Sequence, residues 1–237
     1  MQTLPLVTHR SFDEIVAWRN GTAITVENFL ADVTYLATQL PAGKHILNVC
    51  RDRYHFTVGL AAAIVSNKVS LLPPTHTAEM VQQLKTFAAD VFCLHDNVDC
   101  DIALPRLCYP AMPEYSFDNA NMTIPQIGVQ QLVAIVFTSG STGSPIPHAK
   151  SWGSLVHNVQ AQAERLGLLA GKCYSIVGTI PPQHMYGFES TVLLPLQSGN
   201  ALSSAQPFYP ADICSAVTDI PAPRILVSTP LHLRLLL

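Results

Sequence analysis

The sequence predicts an α/β protein, with mostly parallel sheets covered by helices on both faces. Three observations lead there. Short β-rich runs alternate with helical-period segments along most of the 237 residues. Those runs are apolar throughout rather than alternating, which suits parallel strands buried on both sides. The composition is 49% hydrophobic and only 12% charged, against a usual charged share of roughly 25%. So little charge excludes a disordered tail, a long solvated helix and a coiled coil.

The elements follow in order. Residues 24–40 carry Phe29, Leu30, Val33, Leu36, Ala37 and Leu40 at helical spacing, and Pro41 and Gly43 end the run. A strand is expected at 45–50, then a helix at 54–67 whose Ala-rich face allows close packing. A strand at 69–72 is stopped by Pro73 and Pro74. A helix at 77–88, with Thr77 as N-cap, and a strand at 91–94 complete a β–α–β–α–β unit. Residues 97–130 break the rhythm and read as a long surface excursion. It resumes with a strand at 132–137, a polar loop and a helix at 154–168. A strand at 173–179, a helix at 188–196 and a short strand near Ala201 follow. Pro210 opens another helix, 224–228 is a last strand, and Pro230 starts a final helix.

Composition narrows the function further. Mean hydropathy is +0.27, yet the longest apolar stretches, 58–65 and 132–137, fall short of the ~18–20 residues of a membrane span. The N-terminus has no basic head before an apolar run, so no secretory signal is visible and a soluble, cytoplasmic domain is expected. Thirteen basic and sixteen acidic residues give a net charge of −3, with no basic stripe to neutralise phosphates, so nucleic acid is not an expected partner. The six cysteines form no CxxC pair. Cys93, His95, Cys100 and Cys108 lie close in sequence, but their spacing fits no known ligand geometry. Scattered, mostly buried thiols are the better account.

Residues 137–143 read F-T-S-G-S-T-G, directly after a buried strand. Glycines let backbone amides converge on an anion, and Ser and Thr add hydroxyl donors. A strand feeding such a loop in a parallel sheet is a common seat for nucleotide phosphates. The Gly-Lys-Ser/Thr ending of an ordinary P-loop is missing. The same composition also describes a flexible Ser/Gly linker.

The run T-S-G-S-T-G-S-P at 138–145 resembles the phosphate-loop signature of the adenylate-forming (AMP-dependent synthetase/ligase) superfamily, especially its acyl-CoA and acyl-carrier-protein synthetases. The resemblance extends over nearly the whole chain. It takes in the amphipathic helix at 24–40, the stretch 52–94, and Pro181-Pro182-Gln183-His184-Met185-Tyr186-Gly187. That last run is similar to the family's Pro-x-x-His-x-x-Gly signature near the acyl pocket. Val227-Ser228-Thr229-Pro230, with Leu233 and Leu236, resembles the strand and helix that come next.

The resemblance implies that a fatty or aryl carboxylate attacks the α-phosphorus of ATP, with Mg2+ present, expelling pyrophosphate. The thiol of CoA, or of an acyl carrier protein's phosphopantetheine arm, then accepts the acyl group. Thr138, Ser139, Gly140, Ser141, Thr142 and Gly143 are implied to hold the phosphates. His184, Tyr186 and Gly187 are implied to border the acyl pocket. A histidine is more often a surface or core residue, but the carboxyl end of a strand favours the site for His184. Tyr186, Phe188 and Trp152 are pocket aromatics or core.

Two departures stand out. Where the family usually has lysine after the loop proline, this chain has Ile146, and the nearest lysine is Lys150. Lys150 either replaces that charge or is a solvated helix-start residue. Ser151-Trp152 also stands where the family often has Thr-His, and the S-P-x-P-x-x-K-S-W pattern resembles a branch of acyl-activating proteins from lipid and aryl-polyene type clusters. The family's Tyr-Gly-x-Thr-Glu, whose Glu would hold magnesium, and its Thr-Gly-Asp are absent from these residues. The chain is therefore expected to be the N-terminal portion of a longer ligase, inactive alone, with the small C-terminal domain and its lysine outside it. Two lobes are expected, 46–170 around the phosphate loop and 1–45 with 171–237. A non-catalytic acyl- or carrier-protein-binding relative is the alternative. An unrelated α/β enzyme is a third reading, but the chain lacks a hydrolase G-x-S-x-G.

Overall fold

The computed structural model describes residues 2–113, 122–138, 146–169 and 171–236. Ahead of the first expected helix it has three strands: β1 (Thr3–Pro5), then the hairpin β2 (Ile15–Arg19) and β3 (Thr22–Thr25). Asn20 and Gly21 make the hairpin turn with φ of 50° and 77°. This left-handed geometry matches the strands' own twist. The hairpin takes Ile24 and Thr25 from the segment expected to be helical. Helix α1 (Val26–Gln39) starts after them because the Thr25 hydroxyl accepts from the Asn28 amide.

The next unit is β4 (His45–Asn48), α2 (Arg53–Val65), β5 (Val69–Leu72), α3 (Ala78–Phe87) and β6 (Phe92–His95). Thr77 caps α3 as its spacing predicts. Helix α2 is buried on nearly every side, as a helix held between two layers must be. A Cβ at Gly59 would lie 2.5 Å from Leu94 Cδ2 and 2.6 Å from Asn48 Nδ2, so only glycine lets α2 lie this close to β4 and β6.

The excursion at 97–130 holds two short strands, β7 (Arg106–Cys108) and β8 (Gln126–Gly128). Strand β9 (Leu132–Thr138) is as expected. The expected polar loop after it contains a strand instead, β10 (Ile146–Ser151), which pairs antiparallel with β9. Four of its six residues are exposed, so no hydrophobic alternation marks it, and Pro147 is tolerated because the strand lies at the sheet edge. Ser151 caps α4 (Trp152–Arg165).

After β11 (Ser175–Gly178), the expected single helix at 188–196 is a longer compound one. It comprises α5 (Met185–Phe188), a π-helical turn (Glu189–Leu193) and α6 (Leu194–Ser198). Pro195 has no N–H to give and its ring crowds the carbonyl four residues back, which the wider turn relieves. Strand β12 (Ala201–Ser203), α7 (Pro210–Thr218), β13 (Arg224–Val227) and α8 (Pro230–Leu236) complete the order.

Six strands form one sheet, β10-β9-β5-β4-β6-β7, and five form another, β13-β11-β12-β2-β3; each is parallel but for one terminal hairpin. The six-stranded sheet is apolar on both faces. Leu47, Val69, Leu71, Cys93, Ile135 and Phe137 pack with Met80, Val81 and Leu84 of α3. The alternate residues Ile46, Phe92, Leu94, Ala134 and Val136 join a larger core that also contains α2, α4 and Ile176 and Leu202 of the other sheet. This explains the unbroken apolar runs. Among the cysteines only Cys50 and Cys93 are buried, and Cys108, Cys173 and Cys214 are exposed. The expectation of mostly buried thiols fails because these three sit at an edge strand, before a strand and on the outer side of α7. Among the described residues no helix is long and apolar enough to cross a membrane.

Candidate functional site

The carboxyl edges of the two sheets are joined by one buried cation. Arg53 opens α2 just beyond β4, and its Nη2 donates to the carbonyls of Gly178 (2.8 Å) and Ile180 (3.1 Å), at and beyond the end of β11. Its Nη1 donates to the Thr191 hydroxyl. Its amide donates to the carbonyl of Ser204, just past β12. Burial lowers the guanidinium to about 10, with Asp52 opposing the shift. Gly178 is required here, since a Cβ would lie 3.0 Å from Arg53 Nη2 and 2.5 Å from Thr191 Cγ2. Gln183 Nε2 adds a second link, donating to the Cys50 carbonyl at 3.0 Å.

This junction places the run 181–187. The His184 amide donates to the Pro181 carbonyl (3.2 Å), and the Phe188 amide donates to the His184 carbonyl (2.7 Å), so His184 sits at the head of α5. A Cβ at Gly187 would come within 2.2 Å of the Pro181 carbonyl oxygen; the glycine is what lets the turn close on itself. His184 and Tyr186 are exposed at this edge. Phe188 and Trp152 are not pocket aromatics: both are fully buried, and Trp152 Nε1 donates to the Leu4 carbonyl. They belong to the core.

Thr138 ends β9 and is exposed, at the same edge of the six-stranded sheet. Ser139, Gly140, Ser141, Thr142 and Gly143 lie outside the described residues. Ile146 pairs with Thr138, and Lys150 pairs with Ala134. At a strand rise of ~3.3 Å per residue, Lys150 is about 13 Å from Ile146, toward the far end of the hairpin. The structure does not bring Lys150 to Thr138. It brings His148 there instead, with Nε2 3.1 Å from the Thr138 hydroxyl.

His76 is another residue missed in the sequence. It follows β5 at this edge, and although it keeps a solvent-exposed side, surrounding atoms and then the neighbouring His184 push its imidazole below the ordinary value. Its position just past a strand's carboxyl end, after Pro73-Pro74, was the available signal.

A further cluster fills the crevice between β4 and β6. Asp96 accepts from the amides of Arg51 (2.8 Å) and Asp52 (3.0 Å) and contacts His55 Nδ1 at 3.0 Å. Burial works against the charged carboxylate, but these bonds outweigh it and hold the group below its ordinary value. The opposite ring nitrogen meets Arg19 Nη2 at 2.7 Å, and Arg19 Nε donates to Asp52 at 2.7 Å. The Tyr109 ring stacks on His55 at 3.8 Å.

A cavity of about 820 Å³ lies at the opposite, amino edge of the five-stranded sheet, beside Ile15, Cys173 and Gly199. It contains none of the residues singled out in the sequence. Among the described residues no group of three or more His, Cys, Asp or Glu side chains converges as a metal site.

Open, mostly parallel sheets of this kind ordinarily take their ligands in the crevices beyond the carboxyl ends of the strands. The family model described as AMP-binding enzyme matches residues 28–237, and the chain belongs to that family, within the adenylate-forming superfamily. Similar curated proteins include a 4-coumarate–CoA ligase of Rhodobacter capsulatus, 32% identical over 97 residues, which are 41% of this chain and 24% of that protein. A 4-coumarate–CoA ligase of Halorhodospira halophila is 36% identical over 94 residues, 39% of this chain and 21% of that one. Among solved structures, apo MatB from Rhodopseudomonas palustris matches with a TM-score of 0.76 at 15% identity, over 97% of this chain and 48% of that one. The o-succinylbenzoate CoA synthetase of Bacillus subtilis, in complex with the acyl-adenylate intermediate OSB-AMP, matches with a TM-score of 0.73 at 14% identity, over 92% and 47%. The matched stretches thus span about a quarter of the curated relatives and about half of the solved chains, and the shared fold is that of the N-terminal domain of adenylate-forming enzymes.

Proposed function

We propose that this chain is the nucleotide- and acid-binding part of an AMP-forming acid–thiol ligase. A fatty or aryl carboxylate oxygen attacks the α-phosphorus of ATP and pyrophosphate leaves. The thiol of CoA, or of a carrier protein's phosphopantetheine, then attacks the acyl carbon and AMP leaves. The observation that supports this reading is the junction at Arg53, which ties the carboxyl edge of the sheet containing β9 to the end of β11, just ahead of the His184 turn. Two relatives named as 4-coumarate–CoA ligases support an aryl acid and CoA. We assign 46–170 as the phosphate-loop lobe and 1–45 with 171–237 as the second lobe; the six-stranded and five-stranded sheets divide between them, while β1 pairs with β8 across the division.

In this reading Thr138, Ser139, Gly140, Ser141, Thr142 and Gly143 grip the phosphates through hydroxyls and amides. His184 and Tyr186 border the carboxylate's pocket, and Gly187 closes the turn that presents them. Such transfers need little covalent help from protein and much positioning and charge stabilisation. Magnesium would supply charge neutralisation on the phosphates. The described residues offer no cluster of carboxylates to hold it. With no Tyr-Gly-x-Thr-Glu or Thr-Gly-Asp among these residues, the chain alone binds nucleotide without turning it over. The alternative of a non-catalytic binding relative rests on Ile146, where the resembling family carries a cation.

Carboxylate-dependent pyrophosphate exchange, in the protein that carries this chain, is the test. The Ser139→Ala/Thr142→Val double variant is expected to lose a few kcal/mol of transition-state stabilisation, the scale of lost oxyanion donors. Exchange at the unmodified rate would remove the phosphate-loop role, and no exchange with any fatty or aryl acid would favour the non-catalytic relative.

A further inference from the structure

Two thiols lie side by side against strand β6. Cys93 is fully buried on the strand, on the face that packs with Met80, Val81 and Leu84 of α3. Cys100, half-buried in the connection after β6, packs against the same cluster. The chain turns back there because the Cys100 amide donates to the Asn97 carbonyl at 3.3 Å. Arg106 pins the turn: it is the register partner of Cys93 on β7, and its Nη1 donates to the Cys100 carbonyl. The two cysteines therefore share one neighbour, and their thiols hydrogen-bond to each other.

The other thiols are placed differently. Cys50 joins the core on the opposite face of the sheet. Cys108 is exposed and stands opposite His95, two residues further along than the Cys93–Arg106 pair. Cys173 and Cys214 belong to β11's approach and to α7. Burial, then the Cys100 sulfur beside it, push the Cys93 thiol up, with Arg106 opposing. Cys93 thus keeps its hydrogen and gives it to the pair's hydrogen bond, while solvent reaches Cys100 and not Cys93.

We propose that Cys93 and Cys100 form an oxidisable pair, a modification site at which a hydroperoxide drives formation of an intramolecular disulfide. The Cys100 sulfur attacks one peroxide oxygen and the O–O bond breaks. Cys100 becomes a sulfenic acid, and the other oxygen leaves as water, or as an alcohol, with the Cys100 proton. The Cys93 sulfur then attacks the Cys100 sulfur. The S–S bond forms, the S–O bond breaks, and the hydroxide leaves as water with the Cys93 hydrogen. Two electrons pass from the two thiols to the peroxide. The bridge closes a ring from residue 93 to residue 100 that contains Asp96, and so ties chemically the segment whose carboxylate holds the Arg51 and Asp52 amides.

The test treats the folded protein that carries this chain with hydrogen peroxide, then denatures it, alkylates free thiols with iodoacetamide and digests it with trypsin. Cleavage after Lys85 and Arg106 leaves both cysteines on one peptide, residues 86–106, whose mass reports their state. The peptide is expected to be lighter by two hydrogens than its reduced form and to take up iodoacetamide only after a reductant is added. Cys100→Ser should leave Cys93 unoxidised and open to alkylation. Cys108→Ser, at an exposed position, should leave the bridge unchanged. The unmodified protein decides the question without any substitution in the core. If its peptide carries two alkylated cysteines, or a sulfinic acid at Cys100 beside an alkylated Cys93, the proposal fails. A disulfide from Cys93 or Cys100 to Cys108, in place of the bridge within the peptide, would overturn it equally.

Discussion

Replacing Arg53 by methionine tests how the two sheets are held in register. Methionine keeps much of the apolar stem and removes the guanidinium. It leaves the carbonyls of Gly178 and Ile180 and the hydroxyl of Thr191 short of a donor in a site where Arg53 is fully buried. Each buried acceptor deprived of its partner costs roughly 1–3 kcal/mol. Against this, the desolvation penalty that lowers the guanidinium to about 10 is relieved, and one guanidinium nitrogen, Nε, has no partner to lose. The net expectation is a loss of about 3 kcal/mol, below the sum of three orphaned acceptors because of that relief. For a chain of this size about 3 kcal/mol corresponds to a fall in Tm of roughly 6–12 °C. Urea unfolding followed by circular dichroism gives the comparison, with the slope checked to confirm that two-state behaviour persists. An unchanged midpoint for Arg53→Met would refute the view that this cation holds the edges together.

Three further outcomes follow from the same geometry. Gly187→Ala should destabilise by about 1–3 kcal/mol, because its Cβ would meet the Pro181 carbonyl at 2.2 Å, and calorimetric unfolding should show it. Asp96 is held below its ordinary value, so its contribution to stability is complete above the unfolded carboxylate value near 3.9 and is lost as pH falls through the lower folded one. The urea midpoint of Asp96→Asn should therefore lose that part of the acid dependence, and parallel pH profiles for the two proteins would contradict it. Gly21→Val should cost at least 1 kcal/mol in thermal unfolding, since φ at this position is 77° and a β-branched residue tolerates it poorly.

The central βαβαβ unit was legible because each of its strands is buried on both faces and its boundaries carry signals, such as Pro73-Pro74 after β5 and the Thr77 cap of α3. The hairpin at Asn20-Gly21 was missed, although such a pair is a two-residue turn signal, because the apolar spacing from Ile24 onward drew the helix over its second strand. Strand β10 was not legible. It is an edge strand with exposed Ile146, Pro147, His148 and Ala149, and nothing in such a run alternates between core and solvent. Strands β7 and β8 have three residues each, too few to carry a period. At the site, His184 and Gly187 were visible as a motif and His76 only through the proline-stopped strand end ahead of it, whereas His148 depends on a strand pairing that no local pattern encodes. Arg53 looked like one more polar residue at a helix start, and only the crossing of two sheets turns it into a buried link.

The carboxylate of Asp96 is an internal ligand. It occupies the crevice where the connections from β4 and β6 diverge, the switch point at which an open parallel sheet ordinarily receives a foreign anion. The Arg51 and Asp52 amides just ahead of α2 are already spoken for by a group from the same chain, so an incoming phosphate gains nothing there unless it first displaces a tethered competitor at very high effective concentration. Self-occupancy of this kind closes one strand-end crevice of the sheet to an outside anion, with a side chain of the same chain as the stopper.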